Sequence, residues 1–401
     1  MKRKLFLILL LLLITINISG CWSKKELNEI AIILGTGVDY TKDNKIQLTY
    51  QLARPAAFGG GGMGGGPGGG AAMNQNITWV VSATGDTVFD AQKRLAQQIP
   101  RHLYLGHNVV LILDERLCRH GVLDVINFFH RQPLSRGTVW VMATPQEAKK
   151  VLESHSELQM TSAQAVGFLA RLRTGYVLRF RDFSQDLASR GTNPVLTQVE
   201  LKRQGVAQGP GLEKVHHHQE IVLTGAAIFK GDKLIGWLDC RETQGLRWLL
   251  KGEVRRMGVT IPSPICPGKK ISLEVMKGKI NIDPVYQKGK IKFFLTIKAE
   301  IDVIEQQDEE DFTRPEMIKA VENIAAAEIR QRVKTTLDKV QGEYKVDSFG
   351  FGEAFHRKHK REWSKLKNRW DEEFANAQVY LTVKVKLRDT GLQGRRASLK
   401  R

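Results

Sequence analysis

Cysteine is scarce in this chain, with four in 401 residues. That excludes a small fold stapled by disulfides. Long apolar runs are also absent. The longest, Leu5 to Ile16, is interrupted only by Thr15. At about a dozen residues it falls short of the roughly 20 that a spanning helix needs. A mean hydropathy of −0.27 excludes a polytopic membrane protein. Acidic residues are outnumbered, 42 Asp+Glu against 61 Lys+Arg, for a net charge of +19. Such an excess attracts polyanions, either nucleic acid or an anionic membrane. The G-x-S-x-G, H-E-x-x-H and G-K-[ST] signatures are missing, so the sequence offers no catalytic residue by motif. What remains is 42% apolar and 26% charged. That is ordinary for globular chains, at a length that allows two or three domains.

The N-terminus decides between the two polyanions. Lys2, Arg3 and Lys4 precede the apolar run, and Ile18-Ser19-Gly20-Cys21 follows it. A basic start, a short apolar core and small residues before a cut mark a secretory leader. A cysteine just after the cut resembles the bacterial lipobox. The resemblance implies removal of residues 1–20 and a diacylglyceryl thioether on Cys21, with 21–23 as a tether. Two acyl chains anchor stably where one does not. Without the three basic leader residues the net charge is +16. An exported basic chain meets anionic head groups and not nucleic acid.

Residues 24–200 interleave strands and helices and read as one α/β domain. Glu29–Tyr40 reads as a buried strand, and Lys45–Ala53 alternates with Ile46, Leu48, Tyr50 and Leu52 on one face. Asp86–Ile99 places Val88, Ala91, Leu95 and Ile99 at helical spacing. Gly59 to Gly70 holds ten glycines in twelve residues. A strand follows it where a dinucleotide site would need a helix, so it reads as a hairpin loop. Residues 201–220 form a linker that includes His216, His217 and His218, read as a solvated loop and not a metal site. Residues 221–391 read as an α+β domain, and 392–401 as a basic tail. In that domain Ile221–Lys230 and Lys233–Leu238 suggest a hairpin. Ile318, Val321, Ala325, Ile329, Val333, Leu337 and Val340 stripe a long helix over 316–341. A helix over 363–374 and an alternating strand over 378–388 close it. The whole is a multi-domain α+β protein, with mixed sheets flanked by helices and a lipid anchor at its N-terminus. Cys118 sits on an apolar helix face, as a core residue does. Whether Cys240 and Cys266 pair stays open.

One segment carries both aromatics and charge. Phe349, Gly350, Phe351 and Gly352 alternate bulk with conformational freedom. Trp363, Trp370 and Phe374 share a helical face and are expected in the core. Arg357, Lys358, Lys360, Arg361 and Lys365 form a basic surface for a partner or for lipid head groups.

Several segments together resemble the Ger(x)C lipoproteins, the C subunits of spore germinant receptors. They are Gly20-Cys21-Trp22-Ser23-Lys24-Lys25-Glu26-Leu27; Phe129 to Arg136 in the pattern FxRxPxxR; Gly225 to Lys230 with Lys233 to Leu238; Glu242 to Leu246; and Asp347 to Glu353 with Trp363, Trp370, Phe374 and Leu387 to Gly391. The resemblance implies a three-part, mainly α+β lipoprotein without catalysis or cofactor. It would lie on the outer face of the spore inner membrane, with membrane subunits A and B as partners. The glycine tract is foreign to the family pattern. A rival reading is a lipid-anchored solute-binding protein. That fold should repeat βα units in both halves, and the second half lacks them.

Overall fold

The structure is a computed structural model that describes residues 3–4, 26–54, 77–156, 158–173, 175–203, 219–309 and 311–390. Cys21, the tract Gly59 to Gly70, the three histidines and the basic tail lie outside the described residues. In chain order, ten strands build the first sheet: β1 (Ile30–Tyr40), β2 (Ile46–Ala53), β3 (Thr78–Gly85), β4 (His102–Tyr104), β5 (Val110–Asp114), β6 (Trp140–Thr144), β7 (Leu178–Arg179), β8 (Val195–Arg203), β9 (Gln219–Lys230) and β10 (Lys233–Leu238). Its order is β10-β9-β8-β6-β5-β1-β2-β3, with β4 added to β1 and β7 to β6. The centre, β1, β5, β6 and β8, is parallel, and antiparallel hairpins flank it. Every residue of β5 and β6 is buried, as expected of parallel strands covered on both faces. One face carries α1 (Val88–Gln98), α2 (Glu115–His120), α3 (Leu123–Arg131) and α6 (Phe180–Ala188); the other carries α4 (Ala148–Glu153) and α5 (Ser162–Leu172). Residues 115–131 form two helices, α2 and α3, because Gly121 at φ +136 breaks the run.

The hairpin 221–238, expected to open the second domain, hydrogen-bonds to β8 and completes the first sheet. Its period of two serves two cores. Ala227, Phe229 and Leu234 enter the N-terminal core, while Ala226, Ile228 and Leu238 enter the C-terminal one. The second sheet contains β11 (Glu253–Val254), β12 (Met257–Pro262), β13 (Lys270–Gln287), β14 (Lys290–Gln306) and β15 (Gln378–Asp389), in the order β11-β13-β14-β15, with β12 also on β13. β13 is one long, irregular strand. A register shift between Val275 and Lys277 absorbs the irregularity next to Gly278. The helices that go with these strands begin with α7 (Cys240–Leu249), α8 (Pro315–Leu337), α9 (Phe351–Lys358) and α10 (Lys360–Leu366). A 3₁₀ turn at Lys367–Arg369 leads to α11 (Trp370–Ala375). The helix expected over 363–374 is therefore two helices joined by a tight turn. Cys118 is buried and in no disulfide, its thiol donating to the Leu113 carbonyl at 4.0 Å, and Cys240 and Cys266 are not joined to each other.

Two side chains tie the first sheet to its helices at a cost. Asp39 accepts from the backbone N–H of Ala148 (2.6 Å) and Lys149 (3.2 Å). Asp114 accepts from Tyr40 and Leu117. Burial, then the nearby Asp114, pushes the Asp39 carboxyl up to about 7; burial lifts Asp114 to about 6. A carboxyl raised above its unfolded value favours the folded state fully below about pH 4 and loses that contribution as pH rises through about 7. Asp39→Asn should therefore flatten the pH dependence of unfolding between pH 5 and 8, by on the order of 2 kcal/mol. Urea titrations of both chains at the two pH values test this. Equal pH slopes would exclude Asp39 as the group responsible.

The β2–β3 ladder runs unbroken from Ile46 opposite Gly85 to Ala53 opposite Thr78, and the Arg54 N–H reaches the Ile77 carbonyl at 3.0 Å. Pairing is thus set inside the hairpin, and loop length adds only slowly to closure entropy. Replacing Gly59 to Gly70 by a short turn should change the melting temperature by no more than about 3 °C. A larger loss by calorimetry would mean that the tract packs.

Candidate functional site

The segment from Asp347 to Phe374 is organised by one carboxylate. Asp347 is fully buried and accepts from the N–H groups of Phe349 (3.0 Å), Phe351 (3.2 Å) and Gly352 (2.6 Å) and from the Trp370 indole (2.9 Å). Aspartate ahead of a turn commonly bonds backbone a few residues on. Here that bonding covers the otherwise orphan N–H groups at the start of α9. Burial pushes the carboxyl up to about 6, against the pull of its four donors. Gly350 sits at φ +75, a left-handed conformation that costs glycine little.

The aromatic residues converge around it. Phe349, Phe351, Trp363, Trp370 and Phe374 are all buried. Trp363 and Trp370 meet edge to face at 5.1 Å, and Phe351 lies 4.8 Å from Phe293 of β14. Gly352 is pressed against the other half of the molecule. A Cβ there would lie 2.6 Å from the Gly191 carbonyl and from the Trp370 indole nitrogen. Around that contact, Asn193 donates to the Asp347 carbonyl (2.6 Å) and to the Asp371 side chain (3.0 Å), and Ser189 donates to Glu353 (2.7 Å). The segment is thus a clamp between the N-terminal and C-terminal halves.

A second junction lies between α7 and α8. Thr336 donates to the Glu242 carbonyl, Lys339 pairs with Glu242 at 2.7 Å, and Arg332 bonds Gln244. After α8 a π-helical turn, Asp338–Glu343, delivers Tyr344. Its hydroxyl donates to the Trp237 carbonyl at 3.1 Å. These residues account for the segments Lys233 to Leu238 and Glu242 to Leu246 as packing.

The basic residues face outward. Arg357, Lys358, Lys360, Arg361 and Lys365 are all exposed. Trp363 and Leu366 fix the buried side of α10 and turn its cations to solvent. Lys358 differs from the rest in that it bonds Asp283 of β13 at 2.5 Å. Asp283 stands directly across from Phe294, which stacks on Tyr380 at 5.0 Å. Two outward rows further along, Lys279, Lys298 and Lys384 occupy one cross-strand row. Like charges side by side weaken a sheet, and the acid at the end of the row, Glu253, reaches Lys279 alone of the three, at 3.6 Å, and is shared with Arg255. The lysine row is a second basic patch, on the outer face of the second sheet. Sequence reading misses this row, since its members lie 19 and 86 positions apart along the chain and only the register joins them.

Among the described residues no group of His, Cys, Asp or Glu is placed to hold a metal ion, and no helix is long and apolar enough to cross a membrane. Two family models match in tandem. The description "Spore germination protein N-terminal domain" covers residues 23–201, and "Spore germination B3/ GerAC like, C-terminal" covers 224–391. Spore germination protein KC of Bacillus subtilis (strain 168) is 26% identical, over 98% of this chain and 97% of that protein. Spore germination protein B3 of the same strain is 26% identical, over 94% and 95%. The crystal structure of the GerBC protein superposes with a TM-score of 0.55 at 23% identity, covering 88% of this chain and 96% of that one, a likeness of fold. Matched from end to end by these models and relatives, the chain belongs to the Ger(x)C family of spore germination proteins.

Proposed function

We propose that this protein is the non-catalytic lipoprotein subunit of a membrane germinant-receptor complex required for nutrient-triggered spore germination. Cys21 holds it on the outer face of the spore inner membrane. Arg357, Lys360, Arg361 and Lys365 face the receptor's A and B membrane subunits. The reading rests chiefly on the tandem family match across almost the whole mature sequence. Three of the buried acids agree with a non-catalytic role. Asp39, Asp114 and Asp347 have the raised pKa values that often mark active sites. Each, however, is spent on backbone N–H groups inside the fold.

The anchor is tested by metabolic labelling with a fatty-acid analogue. Wild type should carry label, and Cys21→Ala should lose it entirely. Equal label in both would reject Cys21 as the lipid site. Complex membership is tested by purifying the tagged chain from detergent-solubilised spore membranes. Recovery without any polytopic partner would defeat the receptor reading.

A further inference from the structure

The proposed anchor, on which this inference rests, holds one end of the molecule near a bilayer. Cys21 and Glu26 are five residue steps apart, a reach of at most about 18 Å. Just beyond, Asn28 and Glu29 line a groove of 930 Å³ together with Phe89, Lys93, Arg101 and Leu134. Phe89 is 51% exposed and Leu134 46%. A hollow of 300 Å³ shares Ile99, Pro100 and Arg101 with the groove and adds Trp79, itself 37% exposed.

The pattern of α1 explains the exposure. Val88, Ala91 and Leu95 take the core face, which leaves Phe89 and Lys93 pointing away, with the Lys93 ammonium 5.2 Å from the Phe89 ring. Single exposed apolar residues are common, but several around one concavity mark a contact surface. The groove's ionised lining is Lys93 and Arg101 against Glu29. Aromatic rings beside cations suit the head-group level of a bilayer, where the ring is half-buried and the cation meets phosphate. We propose that this tether-end groove docks on the acidic phospholipid surface itself. The anchor then sets orientation as well as location, and the basic surface of α9 and α10 is left for protein partners.

The test uses the mature chain from residue 21 with Cys21→Ser, which lacks both leader and lipid. It should float with vesicles of phosphatidylcholine and phosphatidylglycerol, not with phosphatidylcholine alone, and should release as salt rises. Phe89→Asp with Leu134→Asp should lower the partition coefficient about tenfold. Lys93→Glu with Arg101→Glu, surface changes that spare the core, should do the same. Reversal of Lys360, Arg361 and Lys365 to Glu should leave it within about twofold. Thermal melts confirm that each variant is folded. The proposal is overturned if the chain ignores acidic vesicles, or if the groove variants lose no more than the α10 reversal. It is likewise overturned if binding requires membrane subunits in the vesicles. Fatty-acid labelling of the full chain is read separately. Equal label in wild type and Cys21→Ala, with groove-dependent flotation intact, would sink the anchor alone.

Discussion

Asp347→Ala should cost at least about 4 kcal/mol and strip native packing from the C-terminal half at pH 7.5. Four donors lose their acceptor at once: three backbone N–H groups and the Trp370 indole. Each buried donor left unsatisfied costs about 1–3 kcal/mol. The gain from no longer burying a charge offsets part of that sum. Its size shows in the carboxyl being pushed up to about 6. Asp347→Asn keeps one acceptor oxygen and should lose roughly half as much. Trp370→Phe keeps a ring against Phe355 and Trp363 but gives up the indole N–H, for about 1–2 kcal/mol. Urea unfolding followed by near-ultraviolet circular dichroism measures all three. A loss below about 1 kcal/mol in Asp347→Ala would mean that burying the charge cancels its hydrogen bonds.

The importance of Asp347 is not visible in the segment that holds it. Phe349 to Gly352 draws attention through its aromatics and glycines, yet the residue that arranges them is the acid just upstream. An aspartate two residues before an F-G-F-G run signals a turn. Only the fold reveals that the same carboxylate also receives Trp370 from 23 positions away. Elsewhere legibility follows how local the cause is. The alternation of β14 and the stripe of α8 depend on one partner face, so period alone locates them. The hairpin 221–238 reads correctly as a hairpin. Its membership of the first sheet depends on pairing with β8, which local pattern does not encode. The break between α10 and α11 carries no proline or glycine. There the Trp370 ring is set against both Trp363 and Phe355, and tertiary packing overrides helix propensity.

Reversing Lys360, Arg361 and Lys365 to Glu should remove the chain from the proposed receptor complex while leaving it folded. These three are exposed and have no ion pair among the described residues. Lys358 is a poorer choice for the same test, because it bonds Asp283 and a glutamate there would oppose a carboxylate. Isolated surface charges contribute about 0–1 kcal/mol. Glutamate in the first turn of α10 is also favoured by the helix dipole. The melting temperature should therefore move by no more than about 2 °C. Binding is more sensitive, since like-charge juxtaposition at an interface costs several kcal/mol. With the three reversals changing the net charge by about −6, recovery of membrane subunits with the tagged chain should fall at least about tenfold. Part of the loss should return at low ionic strength if the remaining contacts are attractive, since the screening length lengthens from about 8 Å at 0.15 M to about 30 Å at 0.01 M. The result that separates the readings is a folded, lipidated triple variant. If it recovers the same partners in the same amounts as wild type, the cations of α10 serve only solubility, and the partner surface must be sought on the lysine row of the second sheet.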